Sequence, residues 1–110
     1  MSVGAGFPHG EVNVPYASGT WPRSVNNRDQ IVGYYYESGR YHGFFWPHGA
    51  ERPITLDYPG AVDTWLTGIS DPNPLTGQIE VVGYYGNRVV VDGHWVNHGF
   101  VAASALVAAP

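Results

Sequence analysis

An all-β, antiparallel fold follows from three features of this 110-residue sequence. Aromatic and β-branched residues gather in short runs, turn-forming Gly, Asn and Asp separate those runs, and no segment sustains an apolar period of 3.6 residues. With 15 Gly, 9 Pro and only 13% charged residues, the composition suits short strands joined by tight turns. A chain of this length makes a single domain, residues 1–110, with one small core.

The elements follow in order. Val12 to Tyr16, Trp21 to Asn26, Gln30 to Tyr36 and Arg40 to Trp46 read as four strands, divided by ASGT, NRD and ESG. Ile54 to Tyr58, Thr64 to Ile69, Ile79 to Tyr85 and His94 to Val101 read as four more. Between the last two lies GNRVVVDG, in which Gly86-Asn87 and Asp92-Gly93 are both hairpin signals. Either Val89 to Val91 forms an extra strand, or Asp92-Gly93 closes one long hairpin with a bulge near Gly86. In the strand from Gln30, Val32, Tyr34 and Tyr36 share one face while Ile31, Gly33 and Tyr35 share the other, so both faces are suited to packing. The final VAASALVAAP reads as a strand continuation followed by a short apolar tail, too short to cross a bilayer.

Internal similarity organises these strands. Thr20-Trp21 is matched by Thr64-Trp65, Val25-Asn26-Asn27 by Ile69-Ser70-Asp71, Gly33-Tyr34-Tyr35 by Gly83-Tyr84-Tyr85, and His42-Gly43-Phe44 by His98-Gly99-Phe100. The order is kept while the interval widens, as expected of two tandem four-stranded units, about 12–46 and 53–102, with two short insertions in the second. An earlier fragment, Gly4 to Gly10, aligns with Gly43 to Gly49 and reads as the end of a further unit.

The combination LDYPGAVDTWLTGIS, VVGYY and NHGF resembles the HAF repeat, a motif of bacterial extracellular repeat proteins named for a His-Ala-Phe that often appears as His-Gly-Phe. The resemblance implies a tandem β-repeat likened to propeller blades, an extracellular setting and no catalytic residues. A small β-sandwich or barrel is the other architecture compatible with eight strands. MSVGAGFPHG lacks the basic and apolar regions of a signal peptide, which in a complete chain points to the cytoplasm.

Several function classes are disfavoured. Nine acidic residues against five basic ones, with no Lys/Arg cluster, argue against a nucleic-acid partner. The absence of cysteine removes disulfides and thiolate metal sites. His94 and His98 have a helical metal-ligand spacing, but an extended strand separates them by roughly 13 Å, so no metal is expected. No helix follows the glycines of VGYYG to cradle a phosphate, no serine nucleophile elbow is present, and no cofactor or membrane partner is expected.

Two sets of candidate site residues remain. Asp57, Asp63 and Asp71 are the carboxylates a glycan hydrolase would draw on, and Asp63 and Asp71 stand where the first unit has Gly19 and Asn27. Asp71-Pro72 and Asn26-Asn27 are also turn formers whose side chains bond nearby backbone amides, and Asp57, before Tyr58-Pro59-Gly60, likewise suits a strand-ending turn. Tyr34, Tyr36, Tyr84 and Trp95 offer an aromatic surface for a small molecule or glycan. The leading expectation is a non-enzymatic interaction or assembly module, most simply a homodimer, because β units with free edges tend to stack. His42 and His98 are expected to be equivalent scaffold residues, each satisfying a nearby carbonyl.

Overall fold

The computed structural model describes residues 12–103, and these form two antiparallel sheets with no helix. The strands are β1 (Gly19–Val25), β2 (Ile31–Glu37), β3 (Arg40–Trp46), β4 (Ile54–Thr55), β5 (Asp63–Ile69), β6 (Glu80–Val91) and β7 (His94–Ala103). The first sheet has the order β1-β2-β3-β4 and the second β5-β6-β7, and neither closes into a barrel. The Gly4–Gly10 fragment and the end of the apolar tail lie outside the described residues.

The two sheets share one register. Trp21 faces Tyr34 and Pro22 faces Gly33, then a bulge shifts the pairing so that Ser24 faces Val32. Likewise Trp65 faces Tyr84 and Leu66 faces Gly83, then a bulge sets Gly68 opposite Val82. A Cβ at Gly33 or Gly83 would overlap the carbonyl oxygen of Trp21 or Trp65, so this close approach requires glycine at both positions. Farther along, Tyr35 faces His42 and Gly33 faces Phe44, while Tyr85 faces His98 and Gly83 faces Phe100.

β5 lies across β1, β2 and β3, and this crossing builds the core between the sheets. Val32 and Phe45 from one side meet Leu66, Ile79 and Val81 from the other, with Ile54, Leu56, Ile69 and Phe100 at the margin. The opposite face of the first sheet carries Ile31, Tyr35, Phe44 and Trp46, covered in part by Val12, Val14 and Ala17.

Two sequence expectations are corrected, and one choice left open by the sequence is decided. Residues 12–16 form no strand: Val14 gives its N–H to the Thr20 hydroxyl and its carbonyl to the Ala17 N–H, making a turn around Pro15. The expected strand from Ile54 to Tyr58 shrinks to Ile54–Thr55 and joins the first sheet, pairing with Phe45 and Phe44 of β3, so the second sheet has three strands among the described residues. The ladder stops there because the Asp57 side chain, rather than its backbone, takes the Gly43 N–H. Between the alternatives at residues 86–93, the long hairpin is the one formed. β6 runs to Val91, a bulge separates the Gly86 and Val90 pairings, and Asp92 and Gly93 make the turn with φ of 52° and 79°.

Candidate functional site

All three candidate aspartates bind backbone amides of the first sheet or its turn. Asp57 Oδ1 accepts the Gly43 N–H at 3.1 Å, Asp63 Oδ1 accepts the Tyr41 N–H at 3.0 Å, and Asp71 Oδ1 accepts the Asn27 N–H at 2.8 Å. Asp57 and Asp63 thereby line up along the outer edge of β3, just beyond its short pairing with β4. Asp71 closes the other end of the crossing, where Asn26 Nδ2 also donates to the Ser70 carbonyl at 3.0 Å. The local turn role expected for Asn26 holds, since its Oδ1 accepts the Arg28 and Gln30 N–H groups.

Asp63 is the buried member of the set. Arg88 Nε donates to Oδ2 at 2.8 Å and Nη2 donates to Oδ1 at 3.0 Å, a two-pronged pairing with a side chain that is fully buried. Burial by itself raises the Asp63 carboxyl, but the Arg88 guanidinium, the Tyr41 N–H and the Arg40 charge outweigh it and hold its pKa below the usual aspartate value. Asp63 in turn raises the pKa of Arg88. Arg88 also reaches the Gly39 carbonyl at 2.6 Å, while Arg40 donates to the Val62 and Ala61 carbonyls at 2.8 and 2.7 Å. Asn87 Oδ1 accepts the Val62 N–H just before β5, while the Arg88–Gly39 bond ties the extended β6–β7 hairpin to the tip of β2–β3.

The two histidines occupy matching places with different partners. His42 stacks on Tyr35 with ring centroids 5.1 Å apart and bonds Asp57 Oδ2 through Nδ1 at 2.7 Å. A carboxylate therefore stands where a carbonyl was expected. Tyr35 is itself fixed by a 2.7 Å hydrogen bond to the Thr55 hydroxyl, and burial pushes its pKa up to about 12. His98 leans on Tyr85 at 5.2 Å, yet it has no hydrogen-bond or ion-pair partner among the described residues. Tyr85 stacks instead on Tyr58, with centroids 3.7 Å apart.

The aromatic candidates are distributed over both sheets. Tyr34 stacks on Trp21 at 5.4 Å and Tyr84 on Trp65 at 4.9 Å, both with ring planes 24° apart. Tyr41 links these pairs, lying against Trp21, Tyr34 and Trp65, and Tyr36 meets its ring edge-on at 4.9 Å. Trp95, opposite Val90 in the hairpin extension, is exposed and has the Arg88 guanidinium 5.9 Å from its ring centroid. His94 and His98 sit at separate rungs of β7, opposite Val91 and Tyr85.

Sequence reasoning passed over two features. Arg88 gave little signal beyond being a lone cation beside a turn. The outer edge of β7 was also missed, although the matching His-Gly-Phe at residues 98–100 marks it. Among the described residues no strand pairs with that edge. Beside it an apolar cleft of about 200 Å³ is lined by Leu56, Tyr58, Leu66, Val81, Phe100 and Ala102. No protein-family model, no curated protein and no solved structure matches this chain.

Proposed function

We propose that this chain is a non-enzymatic β-repeat module that works by assembly, built of two units at about 12–46 and 53–102 and associating as a homodimer. The carrying observation is a pair of matched positions with opposite burial. Val32 and Phe45 face each other in the first sheet and are 0% and 5% exposed, whereas Val82 and Val101 face each other in the second and are 41% and 65% exposed. The first pair is covered by β5 and the strands beyond it; the second awaits such a cover. Shared register, shared bulges and the resemblance to the HAF repeat support the two-unit reading. The three aspartates then serve to dock one unit on another.

Light scattering tests the proposal. At micromolar concentration the expected mass is at least twice that of one chain, falling to one chain when Val101→Glu places a charge on the bare face. A wild-type protein that is monomeric throughout this range overturns it.

A second reading, binding of a small molecule or glycan, draws on the exposed rings of Trp95 and Tyr84. It expects tryptophan fluorescence to shift with saturation on titration with oligosaccharides, and Trp95→Ala to remove that response. A flat titration across glycan types counts against it.

A further inference from the structure

The edge of β3 displays in full how this fold receives a strand. Thr55 pairs with Phe44 and Ile54 with Phe45, the Leu56 N–H donates to the Gly43 carbonyl at 2.8 Å, and Asp57 closes the contact on the Gly43 N–H and His42. Ile54 and Leu56 meanwhile pack toward Val32 and Phe45. The strand thus contributes an apolar–x–apolar–Asp pattern: two apolar side chains on the sheet face and one carboxylate at the His-Gly step.

The edge of β7 repeats the receiving half of this arrangement. Phe100 and Val101 stand where Phe44 and Phe45 stand, Gly99 where Gly43 stands, and His98 where His42 stands, with the same tyrosine beside the imidazole. Among the described residues the donating half is absent at this edge. The glycines supply an independent indication. A Cβ on Gly43 would collide with the Leu56 carbonyl oxygen and lie 2.7 Å from Leu66 Cγ, so the docked strand demands glycine there. A Cβ on Gly99 would meet nothing nearer than the Gly83 carbonyl oxygen at 3.8 Å. Within the described residues Gly99 therefore has no steric reason to be glycine, whereas an incoming strand would give it one.

We infer that the outer edge of β7, from His98 to Val101, is a receptor for an extended segment of apolar–x–apolar–Asp sequence supplied by another β unit. The segment adds a strand through backbone hydrogen bonds to Phe100 and Val101, and its apolar side chains cover Val82 and Val101. Its carboxylate takes the Gly99 N–H and the His98 imidazole, as Asp57 does at Gly43 and His42. The inference rests on the assembly reading and names the surface and the chemistry of the partner.

A peptide spanning residues 52–60 of this chain is the probe, titrated to about 1 mM into isotopically labelled protein with amide resonances followed by NMR. The expected result is saturable shifts centred on residues 98–101. Affinity should fall about tenfold when Asp57 of the peptide is replaced by Asn, from loss of one charge-assisted contact. Gly99→Val should leave the melting temperature unchanged and abolish binding, because the free chain has room for the side chain and the complex does not. Absence of shifts at these amides, equal binding by the Asn peptide, or undiminished binding to Gly99→Val each overturns the inference. Light scattering on the same sample separates it from the assembly reading. A dimer whose β7 amides exchange freely overturns the inference while assembly stands, because the two chains then meet elsewhere; a dimer with these amides protected identifies the second copy as the unit that fills the edge. A monomer that binds the peptide leaves the receptor standing and overturns homodimerisation.

Discussion

The two sheets of this protein are built on one plan and finished differently. Both pair a Trp with a Tyr on the first two strands, both bulge two residues later, and both set a Tyr against a His and a Gly against a Phe between the second and third strands. In the first sheet one face meets β5, the outer edge of β3 receives β4, and His42 receives Asp57. In the second, Val82 and Val101 are bare and His98 stands alone among the described residues. Equal register with unequal cover shows that hairpin geometry is set within a sheet, while burial depends on what lies beside it.

The sharpest way to break that comparison is to truncate matched core positions. Phe45→Ala should cost about 4 kcal/mol, because a buried ring is lost from the junction of the sheets and leaves a cavity. Val101→Ala, at the matching and exposed position, should change the stability of the isolated chain by less than about 0.5 kcal/mol. Urea unfolding of both variants measures the difference; comparable losses would mean that Val101 is covered in solution.

Asp63→Ala comes next, at about 2 kcal/mol, because it empties a buried site and leaves the Tyr41 N–H without its acceptor. The same clamp appears in acid titration. The folded pKa of Asp63 lies below its unfolded value, so the stability it contributes is present above about pH 4 and is lost as pH falls through the folded value. Asp63→Asn should flatten the acid limb of the stability curve, and an unchanged limb would place the titrating group elsewhere.

The histidines test the comparison with a smaller effect. His42→Ala should cost about 1 to 2 kcal/mol through the loss of the Asp57 bond, and His98→Ala almost nothing in the isolated chain. Their melting temperatures should therefore diverge, against the equal losses that their matched sequence positions suggest. Smallest of all, Asp71→Ala removes one exposed cap on the Asn27 N–H and should cost about 0.5 kcal/mol, read as faster amide exchange at Asn27.

Much of the fold is visible in particular residues. Arg40 to Trp46 forms a strand with the expected bounds because Ser38 and Gly39, at φ of 54° and 80°, make the turn that ESGR announces. The matching tyrosines, glycines and His-Gly-Phe steps locate the rungs of both hairpins before any coordinates are known. The strand from Ile54 was harder to place. Its residues are good strand formers, but which neighbour it joins depends on a free edge, and sequence periodicity carries no information about edges. The aspartates were misleading for a related reason. Asp57 and Asp71 sit in turn-forming contexts, yet their acceptors serve amides 14 and 44 residues away.

The sequence by itself determined the all-β class, the hairpins, their turns and the equivalence of their rungs. Those properties arise from alternation and turn chemistry acting over a few residues, where chain connectivity keeps the interacting groups close. Only the tertiary structure decided that β4 belongs to the first sheet, that three carboxylates hold the first sheet or its turn, and that one His-Gly-Phe edge is filled while its counterpart is open among the described residues. These outcomes require distant segments to meet. Whether a given edge amide finds a strand, a carboxylate or neither is settled by the crossing of β5 over the first sheet, a geometry that no local pattern in the chain encodes.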